Sequence, residues 1–155
     1  MHLGALRITS PDFEPEARIP ERHTADGDDV SPALVFESVP SAALSLALVC
    51  HDPDAPKTHG FDHWVLYDIA PDRTDLGRGG ARLGTEGQNS LGTLGYRGPA
   101  PPPGHGLHHY YFHLYALDTR LDAPGGLSRR ELLDLADEHI LEQARLVGTY
   151  SVGAG

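Results

Sequence analysis

The sequence holds a single cysteine, Cys50, so no internal disulfide can form, which fits a reducing compartment. Basic residues are scarce as well: 12 Lys and Arg stand against 22 Asp and Glu, leaving a formal charge of −10 with histidine neutral. No Lys/Arg cluster offsets that balance, so repulsion from phosphate backbones disfavours a nucleic-acid partner. The longest apolar run, at residues 46–50, falls far short of the roughly 20 residues of a helical membrane span. The N-terminal residues lack the basic-then-apolar pattern of a signal peptide. A cytoplasmic protein with no transmembrane segment is therefore expected. There is no G-x-S-x-G nucleophile elbow, no P-loop and no dinucleotide fingerprint. Cys50 lies inside an apolar run and reads as a core residue, not a nucleophile.

What is present suits a folded chain. At 155 residues, with 39% apolar and 22% charged residues, the sequence reads as one domain, 1–155, with a packed core. Its 18 glycines and 13 prolines follow no collagen-like period and so point to many turns and short strands. Short apolar stretches at residues 6–9 and around Ile19-Pro20 alternate with Ser10-Pro11-Asp12 and Asp26-Gly27-Asp28, as strand, turn, strand, turn. Residues 33–37 and 44–50 read as core strands. In residues 63–69, period-two alternation sets His63, Val65, Tyr67 and Ile69 on one face and Trp64, Leu66 and Asp68 on the other. Residues 72–104 hold much of the glycine and little periodicity, so a long surface excursion is expected, with one short strand near residues 94–96. Residues 108–117 are the most strand-like of all, with His108, Tyr110, Phe112, Leu114 and Ala116 facing one way and His109, Tyr111, His113, Tyr115 and Leu117 the other. Ser128-Arg129-Arg130-Glu131 is a capping box, and the apolar spacing after it predicts a helix over residues 128–145. Residues 149–152 then close the sheet. The fold class is mostly β, with Greek-key-like turns and one late helix packed on the sheet.

Ten histidines is a high count, and they cluster: His51, His59 and His63 in one stretch, His105, His108, His109 and His113 in another. If the strands beginning at His63 and His108 share a sheet, those two residues converge on a cleft at the strand ends, where imidazole N–H groups donate to anionic oxygens. His2, His23, His59, His109 and His139 read as surface or half-buried residues. Two prolines stiffen His51-Asp52-Pro53-Asp54-Ala55-Pro56 directly after a core strand, which can position a carboxylate. Asp52 is placed to accept from a site histidine or to pair with a ligand ammonium; Asp54 is placed to hold backbone amides of the turn. The proline run that starts at Gly98-Pro99 ends in glycines and leads into the strand at His108, as a cleft wall would.

Asp52-Pro53-Asp54-Ala55-Pro56, the His63-Trp64 strand start, and the segment from Gly98-Pro99 to His108-His109-Tyr110 resemble the signature segments of the phosphatidylethanolamine-binding protein family. Raf kinase inhibitor protein is its best-known member. Ser31-Pro32-Ala33-Leu34, Gly95-Tyr96-Arg97, Tyr115-Ala116-Leu117-Asp118 and Gly148-Thr149-Tyr150 extend the resemblance over nearly the whole chain, in the compact form of the bacterial YbhB/YbcL-like branch. The resemblance implies a β-sandwich with a small anion pocket at one end. Carried over by residue, it implies a site of Asp52, Ala55, Pro56, His63, Pro102, His108 and Tyr110. His63, His108 and Tyr110 would donate to a phosphate or carboxylate, each charge-assisted bond worth roughly 1.5–3 kcal/mol. Pro56, Pro102 and Trp64 would supply stiff apolar walls, and Asp52 would favour a zwitterion such as phosphoethanolamine. No counterpart is seen of the C-terminal helix that brings a tyrosine to the pocket mouth in eukaryotic relatives, which speaks against kinase regulation.

A binding protein for a small anionic or zwitterionic ligand, needing no cofactor, is thus the leading expectation. The alternative is an enzyme that uses His63 or His108 as proton shuttle, Asp52 to orient it and Tyr110 as oxyanion donor, for isomerisation, dehydration or cyclisation of a small metabolite. A metal site is not expected. His109 and His113 stand about 13 Å apart on one strand, and only the cross-strand set His63, His108 and Asp52 could share an ion. A homodimer is an arrangement suggested by the bacterial branch alone.

Overall fold

A computed structural model gives the structure of the protein and describes residues 4–56, 60–79 and 83–152. Among the described residues, eight strands form two antiparallel sheets. Strands β1 (Arg7–Thr9), β2 (Leu34–Glu37) and β5 (Asp75–Leu76) make a small sheet in the order β1-β2-β5. The larger sheet runs β6-β4-β3-β7-β8, from β6 (Thr85–Glu86), β4 (Phe61–Ile69), β3 (Ser45–Asp52), β7 (His108–Leu117) and β8 (Ile140–Tyr150). The chain is mostly β, as its turn-rich, alternating sequence requires.

The alternation of β7 decides the layers. Tyr110, Phe112, Leu114 and Ala116 point between the sheets, where they meet Ile8, Leu34, Phe36, Leu46, Leu48, Cys50 and Leu76 in one apolar core. Tyr115 and Leu117 point to the opposite face and are covered, with Ala47, Val49, Val65 and Tyr67, by Leu132 and Ala136 of the helix α1 (Arg129–Ala136). The capping box forms as its residues dictate: Ser128 Oγ accepts from Glu131 N–H at 3.1 Å, and Glu131 accepts from Ser128 N–H at 3.0 Å.

Several sequence expectations are corrected. The helix stops at Ala136, not residue 145; a 3₁₀ turn (Asp137–His139) follows, and residue 140 onward is strand. Ile140, Leu141 and Ala144 fit helical spacing, but Ala144, Leu146 and Tyr150 also fit period two, and pairing along the whole of β7 overrides local propensity. The closing strand at residues 149–152 is therefore the end of β8, which stops at Tyr150. No strand forms at residues 94–96: Leu94 makes one isolated bridge, to Gln88, and the short strands of this excursion are β5 and β6. Nor is the excursion all surface, since Asn89, Gly95, Gly98, Pro99 and Pro101 are buried. At Ile19-Pro20 there is one bridge, Arg18 to Thr149, and then a 3₁₀ turn (Glu21–His23). His23 is fully buried, with Nδ1 on the Val30 carbonyl and Nε2 3.4 Å from Asp12. His2 and His59 lie outside the described residues.

The two faces of β4 also depart from strict alternation. Register shifts on the β3 pairing leave one extra residue near each end of β4: Cys50 pairs with Trp64 but His51 with Asp62, and Leu48 pairs with Leu66 but Leu46 with Ile69. Asp68 takes the positive φ of 52° that accompanies the second irregularity. Ile69 consequently joins the inter-sheet core, and His63 leaves the face of Val65 and Tyr67.

On the outer face of β7, His113 stacks between Tyr111 and Tyr115 at 5.9 and 6.2 Å. Burial, aided by His51, Arg145 and Arg129, lowers its pKa from 6.5 to about 4. Between those values the unfolded chain binds a proton that the native imidazole refuses, so stability is lost as pH falls through this window. Burial lowers His23 and His63 in the same direction. His113→Gln should therefore make the melting temperature fall less steeply between pH 6.5 and 4 than in the parent; equal slopes would contradict this assignment.

Candidate functional site

The inter-sheet core ends in polar groups. Asp52 closes β3 on the face that carries Cys50, and His108 and Tyr110 open β7 on the face that carries Phe112, so the pairing of β3 with β7 sets all three at one end of the sandwich. The irregularity in β4 turns His63 toward the same end, where its ring lies edge-on to Tyr110 at 5.2 Å. These four residues are buried, with relative exposures of 2% for Asp52, 5% for His63, 2% for His108 and 1% for Tyr110. They line a cleft of about 400 Å³. Ala55 and Pro56 form one wall, and Gly98, Ala100, Pro101 and Pro102 another; Ala25, Phe61, Leu91 and Arg97 complete it.

The acidic turn is tied to the site by both of its carboxylates. Asp52 Oδ1 accepts from the Asp54 N–H at 2.7 Å, and Asp52 Oδ2 lies 2.6 Å from His108 Nδ1. Asp54 Oδ2 accepts from the His109 N–H at 2.8 Å and lies 2.9 Å from His109 Nδ1. Although partial burial opposes ionisation of Asp54, its bonds from His109 hold its carboxyl below the ordinary value. The turn is thereby pinned across to the start of β7.

Hydrogen-bond partners decide which tautomers face the cleft. A carboxylate only accepts, so His108 Nδ1 carries a proton and donates it to Asp52. A peptide carbonyl likewise only accepts, so His63 Nδ1, 2.6 Å from the Arg97 oxygen, is also a donor. Burial lowers the His63 pKa, against the pull of the Arg97 carbonyl, Asp52 and Asp62, and its neutral form is favoured. The neutral His63 ring is therefore left with an Nε2 lone pair, while Nε2 of His108 lies 2.6 Å from Nδ1 of His105. Burial drives the Tyr110 pKa upward, so its phenol stays protonated. Among the described residues its hydroxyl has no hydrogen-bond partner, leaving it as the donor of the group.

Of the residues singled out in the sequence, Asp52, Ala55, Pro56, His63, Pro102, His108 and Tyr110 come together around this cleft. Trp64 does not. It is fully buried in the core, with its ring against Tyr96 at 5.4 Å, because the register at Cys50 sends it inward beneath the site. Gly98, Ala100 and Pro101 belong to the proline run read as a cleft wall, whereas Phe61, Ala25, Leu91 and Arg97 were not anticipated. Phe61 was legible as the position two before His63, and its ring lies 4.6 Å from that imidazole. Arg97, within Gly95-Tyr96-Arg97, gives its carbonyl to His63, while its side chain is 3.4 Å from Asp29. Outside the cleft, His51 pairs with Asp62 at 2.6 Å, and Asp62 also receives Arg129 Nε at 2.7 Å. Among the described residues, no group of three or more His, Cys, Asp or Glu is arranged to hold a metal ion. The set His63, His108 and Asp52 fails because Asp52 is turned onto His108 Nδ1 and the turn amide.

Asp52→Ala would leave the buried His108 Nδ1–H without an acceptor. The unfolding free energy should fall by about 1–3 kcal/mol in urea titrations, and a loss near zero would contradict the pairing.

The phosphatidylethanolamine-binding protein family model matches residues 9–151. A UPF0098 protein of Methanothermobacter thermautotrophicus is 46% identical over 154 residues, covering 96% of this chain and 100% of that one. A solved Chlamydia trachomatis structure, described as a homologue of phosphatidylethanolamine-binding protein, superposes with a TM-score of 0.90 at 36% identity, covering 95% of this chain and 97% of its own. Escherichia coli YbcL, described as a member of the mammalian family, gives 0.89 at 25% identity over 96% and 99%.

Proposed function

The chain belongs to the phosphatidylethanolamine-binding protein family, and on that premise we propose that its cleft binds the acidic head of a small phosphorylated or carboxylated molecule, such as phosphoethanolamine, together with a proton. Family membership supports a small-ligand-binding protein. The observation that carries the finer reading is that the Nδ1–H groups of His63 and His108 are both committed inside the protein, so a neutral ring has only Nε2 to offer, and that of His108 is shared with His105. A bare dianion would meet two acceptors and the single Tyr110 hydroxyl. An acid that keeps one O–H, or that protonates a ring as it enters, turns an acceptor into a partner. Asp52 then balances an imidazolium on His108, and the apolar walls around Ala55, Pro56, Phe61 and Pro102 suit the uncharged body of the ligand.

The sign of the pH dependence follows. His63 titrates below 6.5, and a phosphate monoester loses its last proton near pH 6. Asp52, Asp62 and His51 are the charges acting on His63, and none of them supplies a donor to the cleft. Affinity should therefore weaken as pH rises, by about tenfold per unit once the proton must be taken from solvent. NMR titrations with phosphoethanolamine and inorganic phosphate at pH 5.5, 6.5 and 7.5 measure this. Sulfate, which has the same shape and no proton at these pH values, should bind far more weakly. A flat profile, or sulfate equal to phosphate, would contradict the reading. His108→Ala should remove most of the phosphate affinity, and an unchanged dissociation constant would remove His108 from the site.

A second reading rests on the Asp52–His108 pair itself, because a carboxylate on Nδ1 orients the ring and fixes the tautomer in which Nε2 is the proton acceptor, as general-base catalysis requires. Conversion of a bound small molecule on incubation, absent in His108→Ala, would move that reading forward.

A further inference from the structure

Asp52 and His108 belong to a longer chain. Nε2 of His108 lies 2.6 Å from Nδ1 of His105, and the two rings are 4.9 Å apart. With His108 Nδ1–H donating to Asp52, a neutral His108 accepts at Nε2, so His105 Nδ1–H is the donor. His105 thus sits on the same atom that the head-group reading assigns to the ligand. The two residues are built differently: His108 is 2% exposed, whereas His105 is exposed on a loop. That loop carries glycines of positive φ on both sides, Gly104 at 72° and Gly106 at 98°, and a side chain added at either would touch nothing within 4 Å. Its own backbone is held by His105 N–H to the Pro102 carbonyl at 3.1 Å and by Gly104 N–H to the Val152 carbonyl at 3.5 Å.

We propose that His105 is the internal occupant of the ligand position on His108, and that an entering phosphate or carboxyl group displaces it by offering its own O–H to Nε2. The inference rests on the head-group reading for the identity of the ligand, but not for the contact. It names a specificity rule: whatever replaces His105 must itself be a hydrogen-bond donor at that point, because the atom it meets is a lone pair. Protonated phosphate monoesters and carboxylic acids satisfy the rule, and fully ionised oxyanions do not. It also means that the apparent affinity of the parent protein contains the cost of breaking one neutral hydrogen bond.

Two variants and two readouts test this. His105→Ala vacates Nε2; His105→Asn keeps an N–H donor at the place of Nδ1. The first readout needs no ligand: the rate at which diethyl pyrocarbonate modifies His108, followed by peptide mass spectrometry. It should rise several-fold in His105→Ala and stay near the parent rate in His105→Asn. The second is the dissociation constant of inorganic phosphate at pH 6, which should tighten by about three- to tenfold in His105→Ala, the equivalent of one neutral hydrogen bond no longer displaced. An unchanged modification rate in His105→Ala would overturn the proposal, as would weaker phosphate binding, which would make His105 a ligand donor. Faster modification with no phosphate binding in parent or variant would keep His105 as the occupant of His108 and overturn the head-group reading instead. A melting temperature equal to that of the parent shows that both exposed-site variants fold.

Discussion

The hydrogen bond from His108 Nδ1 to Asp52, 2.6 Å long between two buried side chains, is the constraint on which the rest of the site depends. It joins the last residue of one central strand to the first residue of its neighbour, at the point where sheet pairing gives out. A buried carboxylate without a partner is costly, and so is a buried imidazole N–H. Each removes the other's penalty, and the remaining Asp52 oxygen takes the turn amide of Asp54. The direction of the bond also settles the chemistry of the cleft. With Nδ1 committed, Nε2 is the only part of His108 that a neighbour can use.

His63 repeats the same logic with different parts. Its Nδ1–H goes to the Arg97 carbonyl, and the loop that carries Arg97 thereby becomes both a wall of the cleft and the acceptor that orients the ring. The extra residue in β4 is what allows this. Without it, His63 would face α1 with Val65 and Tyr67; with it, Trp64 takes the core position beneath, and His63 stands over Tyr110. Bulges of this kind are a common means of re-aiming one side chain at the end of a strand. The two imidazoles and the Tyr110 phenol then form the floor of the cleft, walled by proline, alanine and phenylalanine.

Much of this was legible in the residues. The bounds and both faces of β7 could be read from its alternation, because ten residues of strict period two have no helical solution. The capping box fixed the start of α1 for a local reason, and the histidine-orienting role of Asp52 followed from its place in a stiff turn, whereas Asp54 holds His109 of β7 and it is Asp52 that takes the turn amide. The resemblance of the signature segments pointed to Asp52, Ala55, Pro56, His63, Pro102, His108 and Tyr110, which line the cleft, while Trp64 lies in the core. The features that escaped are those that no local pattern encodes. Where α1 ends depends on β7 offering a free edge to residues 140–150, and the strand register at Cys50 decides that Trp64 is core. His23 reads as surface or half-buried in the sequence because nothing in its neighbourhood announces that Asp12, eleven residues earlier, folds against its ring. The contact of His105 with His108 is set by glycines whose positive φ becomes visible only in the folded loop.

The central claim is that His63 and His108 both hold a proton on Nδ1 and donate it inward in the free protein. Long-range ¹⁵N–¹H spectra of the histidine rings at pH 7.5 test it directly, since each tautomer gives a distinct pair of nitrogen shifts. Both rings should show the proton on Nδ1, and His108 should lose that single-tautomer pattern in Asp52→Ala. A proton on Nε2 of either ring in the free protein would contradict the account, for that ring would then be a ready donor to a fully ionised anion.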